Sequence, residues 1–143
     1  MIMKKFLLIL KCLVLIVILA GCSNDNDDSS LYNTWILVSY GNESNEVLKE
    51  ANGYFYQITF NIDGTYSGLA YGNEMGGNYK CIGYGIQIYS GNITQKDCEG
   101  ADPDHFFLEH LEDVYLYTIT DTELKLFYSK DQYFKFRIKN SLK

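Results

Sequence analysis

With 143 residues, 15% of them aromatic, and a single proline, the chain holds material for one small domain rather than two. Its 18 acidic and 12 basic side chains leave a net charge of −6. That balance repels phosphate and excludes nucleic acid as the expected partner, while a basic protein would be attracted at long range.

The first 21 residues read as a targeting leader. Lys4 and Lys5 precede an apolar stretch, Phe6 to Leu19, broken by Lys11 and Cys12. The uninterrupted run Leu13 to Ala20 falls short of the roughly 20 residues that span a bilayer. The quartet LAGC (19–22) resembles the lipobox of bacterial lipoproteins, which implies that Cys22 becomes the lipidated first residue and anchors the chain to a membrane. The following SNDNDDSS (23–30) has no apolar side chain, so residues 22–30 read as an acidic flexible tether. Asp25, Asp27 and Asp28 resemble the export signals of Bacteroidetes surface lipoproteins; a plain solvated spacer is the other reading. The expected location is the outer membrane, on its periplasmic face or at the cell surface. The leader holds three basic residues and no acidic one, so the mature chain has nine basic and eighteen acidic residues, net −9.

The domain proper is expected over 31–143. TWILVSY (34–40) is a β-rich run. YFYQITF (54–60) alternates, with Tyr54, Tyr56, Ile58 and Phe60 on one face and Phe55, Gln57 and Thr59 on the other. NIDG (61–64) supplies an Asp-Gly turn, and TYSGLAY (65–71) is its return strand, with Gly68 marking a bulge or a close backbone approach. GNYKCI (77–82) and GIQIYS (85–90) form a second hairpin around Gly83-Tyr84-Gly85. In ADPDHFFLEHLEDV, Phe107, Leu108, Leu111 and Val114 recur at helical spacing, with Asp102 as cap, Pro103 at the first helical position and Asp104 near the positive end, so a helix is expected over about 103–114. YLYTIT (115–120), ELKLFYS (123–129) and YFKFRIK (133–139) close the chain, the last with Phe134, Phe136 and Ile138 alternating with Lys135, Arg137 and Lys139. About eight short strands with turn signals imply a mainly β domain, an antiparallel barrel or two-sheet arrangement, with one short helix before the last three strands.

Candidate chemistry is sparse. His105 and His110 are five apart, so they do not share a helical face and lack metal-site geometry. Asp97, Glu99, Asp102 and Asp104 crowd an acidic loop, but the spacing fits no EF-hand and Pro103 interrupts it. No G-x-S-x-G is present, and neither remaining cysteine carries an activating motif. No enzyme activity, metal or cofactor is expected. GNEMGGNYKC (72–81) approaches a phosphate-binding loop, yet Asn78-Tyr79 stand where Lys-Ser/Thr belong, so Gly72, Gly76 and Gly77 read as turn residues linking Tyr71 to Tyr79. Cys81 and Cys98, the two cysteines left once Cys22 is lipidated, form either a disulfide in an oxidising compartment or two reduced thiols. Phe55, Tyr71, Tyr84, Tyr89 and Tyr133 lie opposite the inferred core, where they pack a second sheet or line a binding surface.

In order along the chain, Trp35 with Leu37, ITFNIDGTYSG (58–68), YGNEMGGNY (71–79), ITQKDC (93–98) and FFLEHLEDVYLYTITDTELKLF (106–127) resemble the META-domain (HslJ-like) family of small envelope lipoproteins. The family's first cysteine falls here at Gly72, with Cys81 nearby instead. The resemblance implies a compact β domain with a helix, an envelope or stress-associated role, and no catalytic residues to carry over. A non-enzymatic monomeric envelope lipoprotein is therefore expected, binding an unidentified protein or small ligand. Two alternatives remain. One is a lipocalin-like carrier of an apolar ligand, with a cavity lined by Tyr54, Tyr56, Ile58 and Phe60. The other is an acidic inhibitor of a basic enzyme such as lysozyme.

Overall fold

The computed structural model describes residues 30–48, 56–70, 72–94 and 106–139. The leader with Cys22, the tether, the acidic loop, Cys98, His105, Tyr54, Phe55 and Tyr71 lie outside the described residues. Nine strands and one helix run in the order β1 (Thr34–Asn42), β2 (Asn45–Leu48), β3 (Tyr56–Phe60), β4 (Thr65–Ala70), β5 (Asn73–Ile82), β6 (Gly85–Ile93), α1 (Phe106–Leu111), β7 (Leu116–Ile119), β8 (Glu123–Phe127) and β9 (Tyr133–Ile138).

Every pairing is antiparallel, and the sheet closes because β1 pairs with β9 as well as with β3. Eight strands form the ring. β2 is an addition, pairing only with Ser39–Asn42, the half of β1 that β3 does not reach. Closure removes most of the unpaired backbone edge that an open sheet would expose. The seam between β6 and β7 is the thinnest, with Gly85↔Leu116 as its one register pair.

Alternation decides what faces inward. Tyr56, Ile58 and Phe60 on β3, Leu124 and Leu126 on β8, and Phe134 and Phe136 on β9 are all buried in one core cluster. Tyr56, Ile58 and Phe60, three of the four side chains expected to line a carrier's cavity, are thus packed core, which weakens the support for a ligand cup of that kind. Trp35 is fully buried, and its indole N–H donates to the Leu31 carbonyl at 3.0 Å, tying the approach to β1 down onto the ring. Trp35→Phe keeps most of the apolar surface but removes this hydrogen bond, leaving the Leu31 carbonyl with the Asn33 N–H alone; denaturant unfolding should show a loss of about 1 kcal/mol.

α1 covers the core with its Phe107 and Leu111 stripe, i and i+4. The Phe107 ring meets Tyr56, Phe134 and Phe136 edge-on at 5.6, 5.0 and 6.1 Å. The neighbouring Phe106 and His110 lie over Tyr40 and Tyr128: Phe106 stacks on Tyr40 at 4.9 Å and His110 on Tyr128 at 5.2 Å. His110 also meets Asp113 through Nδ1 at 2.8 Å. It is a half-exposed packing residue rather than a bare surface histidine.

Several expectations need correction. The helix occupies 106–111 of the described residues, because the chain turns at Glu112–Asp113 before Val114 enters the core. A ninth strand, β2, accompanies the expected eight. Within GNEMGGNYKC only Gly72 is a turn residue, at φ 82°; with residue 71 it links Ala70 to Asn73, whose pairing closes the β4–β5 hairpin. Gly76 and Gly77 lie inside β5. A Cβ on Gly77 would sit 2.1 Å from the Tyr89 carbonyl oxygen and 2.8 Å from the Gly91 nitrogen. The β5–β6 register shifts here, β6 carrying an additional residue between the partners of Met75 and Gly77, which brings the two backbones together. Gly68 is a close approach of the same kind, its Cβ position 2.1 Å from the Gln57 carbonyl oxygen.

Candidate functional site: an outward cleft over Tyr133

Because the ring's inner positions are filled, the outward positions are where a ligand could meet the domain. The registers align Phe127, Tyr133, Gly41 and Glu46 in one row across β8, β9, β1 and β2. Lys125, Lys135 and Ser39 form the next row. Tyr133 was expected among exposed aromatics and is instead only 5% exposed, although it points outward. The Lys125 ammonium lies 4.6 Å from its ring centroid and the Phe127 ring packs edge-on at 5.5 Å. Tyr84 and Tyr89, from the same expected set, are exposed.

Asn42, Glu43, Ser44, Lys125, Phe127, Asp131 and Tyr133 enclose an open cleft of about 330 Å³. The β1–β2 turn makes its upper wall. There the Asn42 side chain accepts from the backbone N–H groups of Ser44 and Asn45 at 3.0 and 2.8 Å, fixing the turn. Burial pushes the Tyr133 phenol above its ordinary range, so it stays a neutral donor. The cleft offers an aromatic floor, one ammonium, two carboxylates and amide and hydroxyl groups. That set suits recognition of a small polar group with a flat face, and it contains no paired nucleophile and base.

A polar knot supports this face. The fully buried Ser39 hydroxyl donates to Glu46 at 2.5 Å, and Lys135 donates to the same carboxylate oxygen at 3.1 Å. Ser39 holds the Glu46 carboxyl below its ordinary 4.5, with Lys135 adding to the effect; the Lys135 ammonium is held above its ordinary 10.5, chiefly by that hydrogen bond. The Glu46 contribution is therefore complete above its unfolded pKa and lost as pH falls through the lowered folded value. The Lys135 contribution is complete below its unfolded pKa and lost as pH rises through the raised one. Both side chains are about a quarter exposed, so the pair is worth about 0.5 kcal/mol. Tyr66, Tyr128 and Tyr133 are also raised, each first by burial, and share the alkaline loss. Melting temperature against pH should thus fall on the alkaline side above about 10, the tyrosine range. Lys135→Met should reduce the small acid-side gain but leave the larger part that Ser39 supplies, and the alkaline fall set by the buried tyrosines should persist.

Cys81 sits half-buried on β5, packed against the core, and Cys98 is outside the described residues. Among the described residues, no group of three or more His, Cys, Asp or Glu side chains is placed to hold a metal ion. No described helix is long and apolar enough to cross a membrane. The β2 strand and the cleft beside its turn escaped the sequence reading. The one available signal was NEV after the Glu43–Ser44 turn, a strand too short to stand out by periodicity.

The solved structure of a DUF4847 family protein from Bacteroides vulgatus ATCC 8482 is similar over 78% of this chain and 95% of its own, with 19% identity and a TM-score of 0.58. At that identity the likeness is one of fold. No curated protein matches the chain. The META domain family model matches residues 29–140, from the approach to β1 through the end of β9. The chain belongs to the META domain family.

Proposed function

We propose that this META domain protein is an envelope lipoprotein of the HslJ-like, Bacteroidetes type, anchored through Cys22, that works by binding rather than by catalysis. The observation that carries this reading is the filled ring. With Tyr56, Ile58, Phe60, Phe134 and Phe136 buried inside, the recognition surface is external, and the cleft over Tyr133 offers it an aromatic floor with charged walls. The LAGC quartet and the acidic 23–30 stretch support an outer-membrane location, on the periplasmic face or at the cell surface. The role that fits is maintenance of envelope integrity under stress.

The test is genetic. A strain lacking the gene should grow less well under heat and envelope-targeting antibiotics, and the wild-type chain should restore it. Lys125→Glu, which reverses the charge on the cleft wall, should be present at normal abundance but restore growth poorly. Equal growth of the deletion strain and its parent would end the stress role. Full rescue by Lys125→Glu would move the binding surface away from the cleft.

A further inference from the structure

The most exposed large apolar side chains are not scattered over the domain. Strand direction alternates around the ring, so the start of β1, the β3–β4 turn, the β5–β6 turn, the β7–β8 turn and the end of β9 share one end. Ile62, in the β3–β4 turn, is 82% exposed; Ile82 and Tyr84, at the β5–β6 turn, are 76% and 53% exposed. No other large apolar side chain among the described residues is more exposed than these three. Ile62 in its turn and Ile82 at the end of β5 each forfeit most of the stabilisation that burial would give.

This is also the end where the chain enters the domain. Ile62 lines one groove with Leu31, Tyr32, Gly64, Tyr79 and Cys81, and another with Tyr32, Ile138 and Lys139, so it stands directly beside Leu31. Eight residues lie between Cys22 and Leu31, a span of nine residue steps. At their fullest extension they reach about 30 Å. A lipid on Cys22 would hold this end within that distance of the bilayer. Charged side chains at or beside these turns include both signs, Asp63, Asp121 and Lys139, although the tether that enters here is acidic. Tyr84 has the amphipathic ring favoured at such an interface.

We infer that this end of the ring is a membrane-contacting face, with Ile62 and Ile82 dipping into the lipid surface and Tyr84 at headgroup level. The inference rests on the reading of Cys22 as lipidated. It orients the domain with its β4–β5 and β8–β9 turns, the latter carrying the Asp131 side of the Tyr133 cleft, away from the bilayer.

The full chain, purified from membranes, would be placed in phosphatidylethanolamine–phosphatidylglycerol vesicles with brominated acyl chains. Single tryptophans would be introduced by Ile62→Trp, Ile82→Trp and, on β2 as the distant reference, Val47→Trp. The buried native Trp35 gives a constant background. Intact mass reports acylation of Cys22 independently. With Cys22 acylated, emission from positions 62 and 82 should be lost to bromine and that from position 47 retained. Equal quenching at all three positions, or none at 62 and 82, in an acylated protein would overturn the orientation and leave the anchor standing. An unacylated Cys22 would overturn both.

Discussion

Phe107→Asp should abolish the fold. Phe107 is 3% exposed and meets three core rings edge-on. Its truncation alone would cost about 3–5 kcal/mol. Aspartate adds a carboxylate among the rings of Tyr56, Phe134 and Phe136, and a buried charge without compensation costs several kcal/mol more. Domains of this size hold only about 5–15 kcal/mol in total. Circular dichroism should show no cooperative melt, and Phe107→Leu should melt cooperatively at a lower temperature. A Phe107→Asp protein melting as the wild type does would mean that α1 does not close the core.

Gly77→Ala should be the second most damaging change, at about 3 kcal/mol or more, because the atoms in the way are backbone. The new methyl would lie 2.1 Å from the Tyr89 carbonyl oxygen, so β5 and β6 would have to separate. Gly76→Ala is the matched comparison. Its Cβ would meet the Tyr66 carbonyl oxygen at 3.2 Å, a contact that a shift of a few tenths of an ångström relieves. Urea unfolding should rank wild type, Gly76→Ala and Gly77→Ala in falling order, with a clear gap before the last. Near-equal stability of the two variants would return this stretch to being a loop.

These glycines also show where sequence reasoning stopped. The ring strands could be read from period-two alternation, as in Tyr56-Ile58-Phe60 and Phe134-Phe136-Ile138, from β-rich runs such as TWILVSY, and from the turn signals between them. Glycine has no side chain to alternate, so Asn73–Gly77 looked like a turn although it is strand. The reason for glycine at position 77 lies on β6, at Tyr89 and Gly91, and a local reading cannot reach that far. Tyr133 misled in the opposite way. Its outward direction was legible, but its burial comes from Lys125 and Phe127 on another strand and from a turn held by Asn42. The cleft was illegible for the same reason, since its walls come from three separate stretches of chain. The helix core was legible because Phe107 and Leu111 need only each other's spacing.

The β1–β9 pairing sets an order of events during synthesis. Trp35 finds Ile138 across a gap of about a hundred residues, so the ring has no closed form until nearly the whole domain exists. Hairpins such as β3–β4 can form early, but Trp35, Phe134 and Phe136 cannot reach their common core until the last strand arrives. A nascent chain therefore stays loose for as long as its C-terminal strand is missing. On the proposed route out of the cell, that delay keeps the polypeptide threadable until it has crossed the inner membrane and lets the ring snap shut only on the far side.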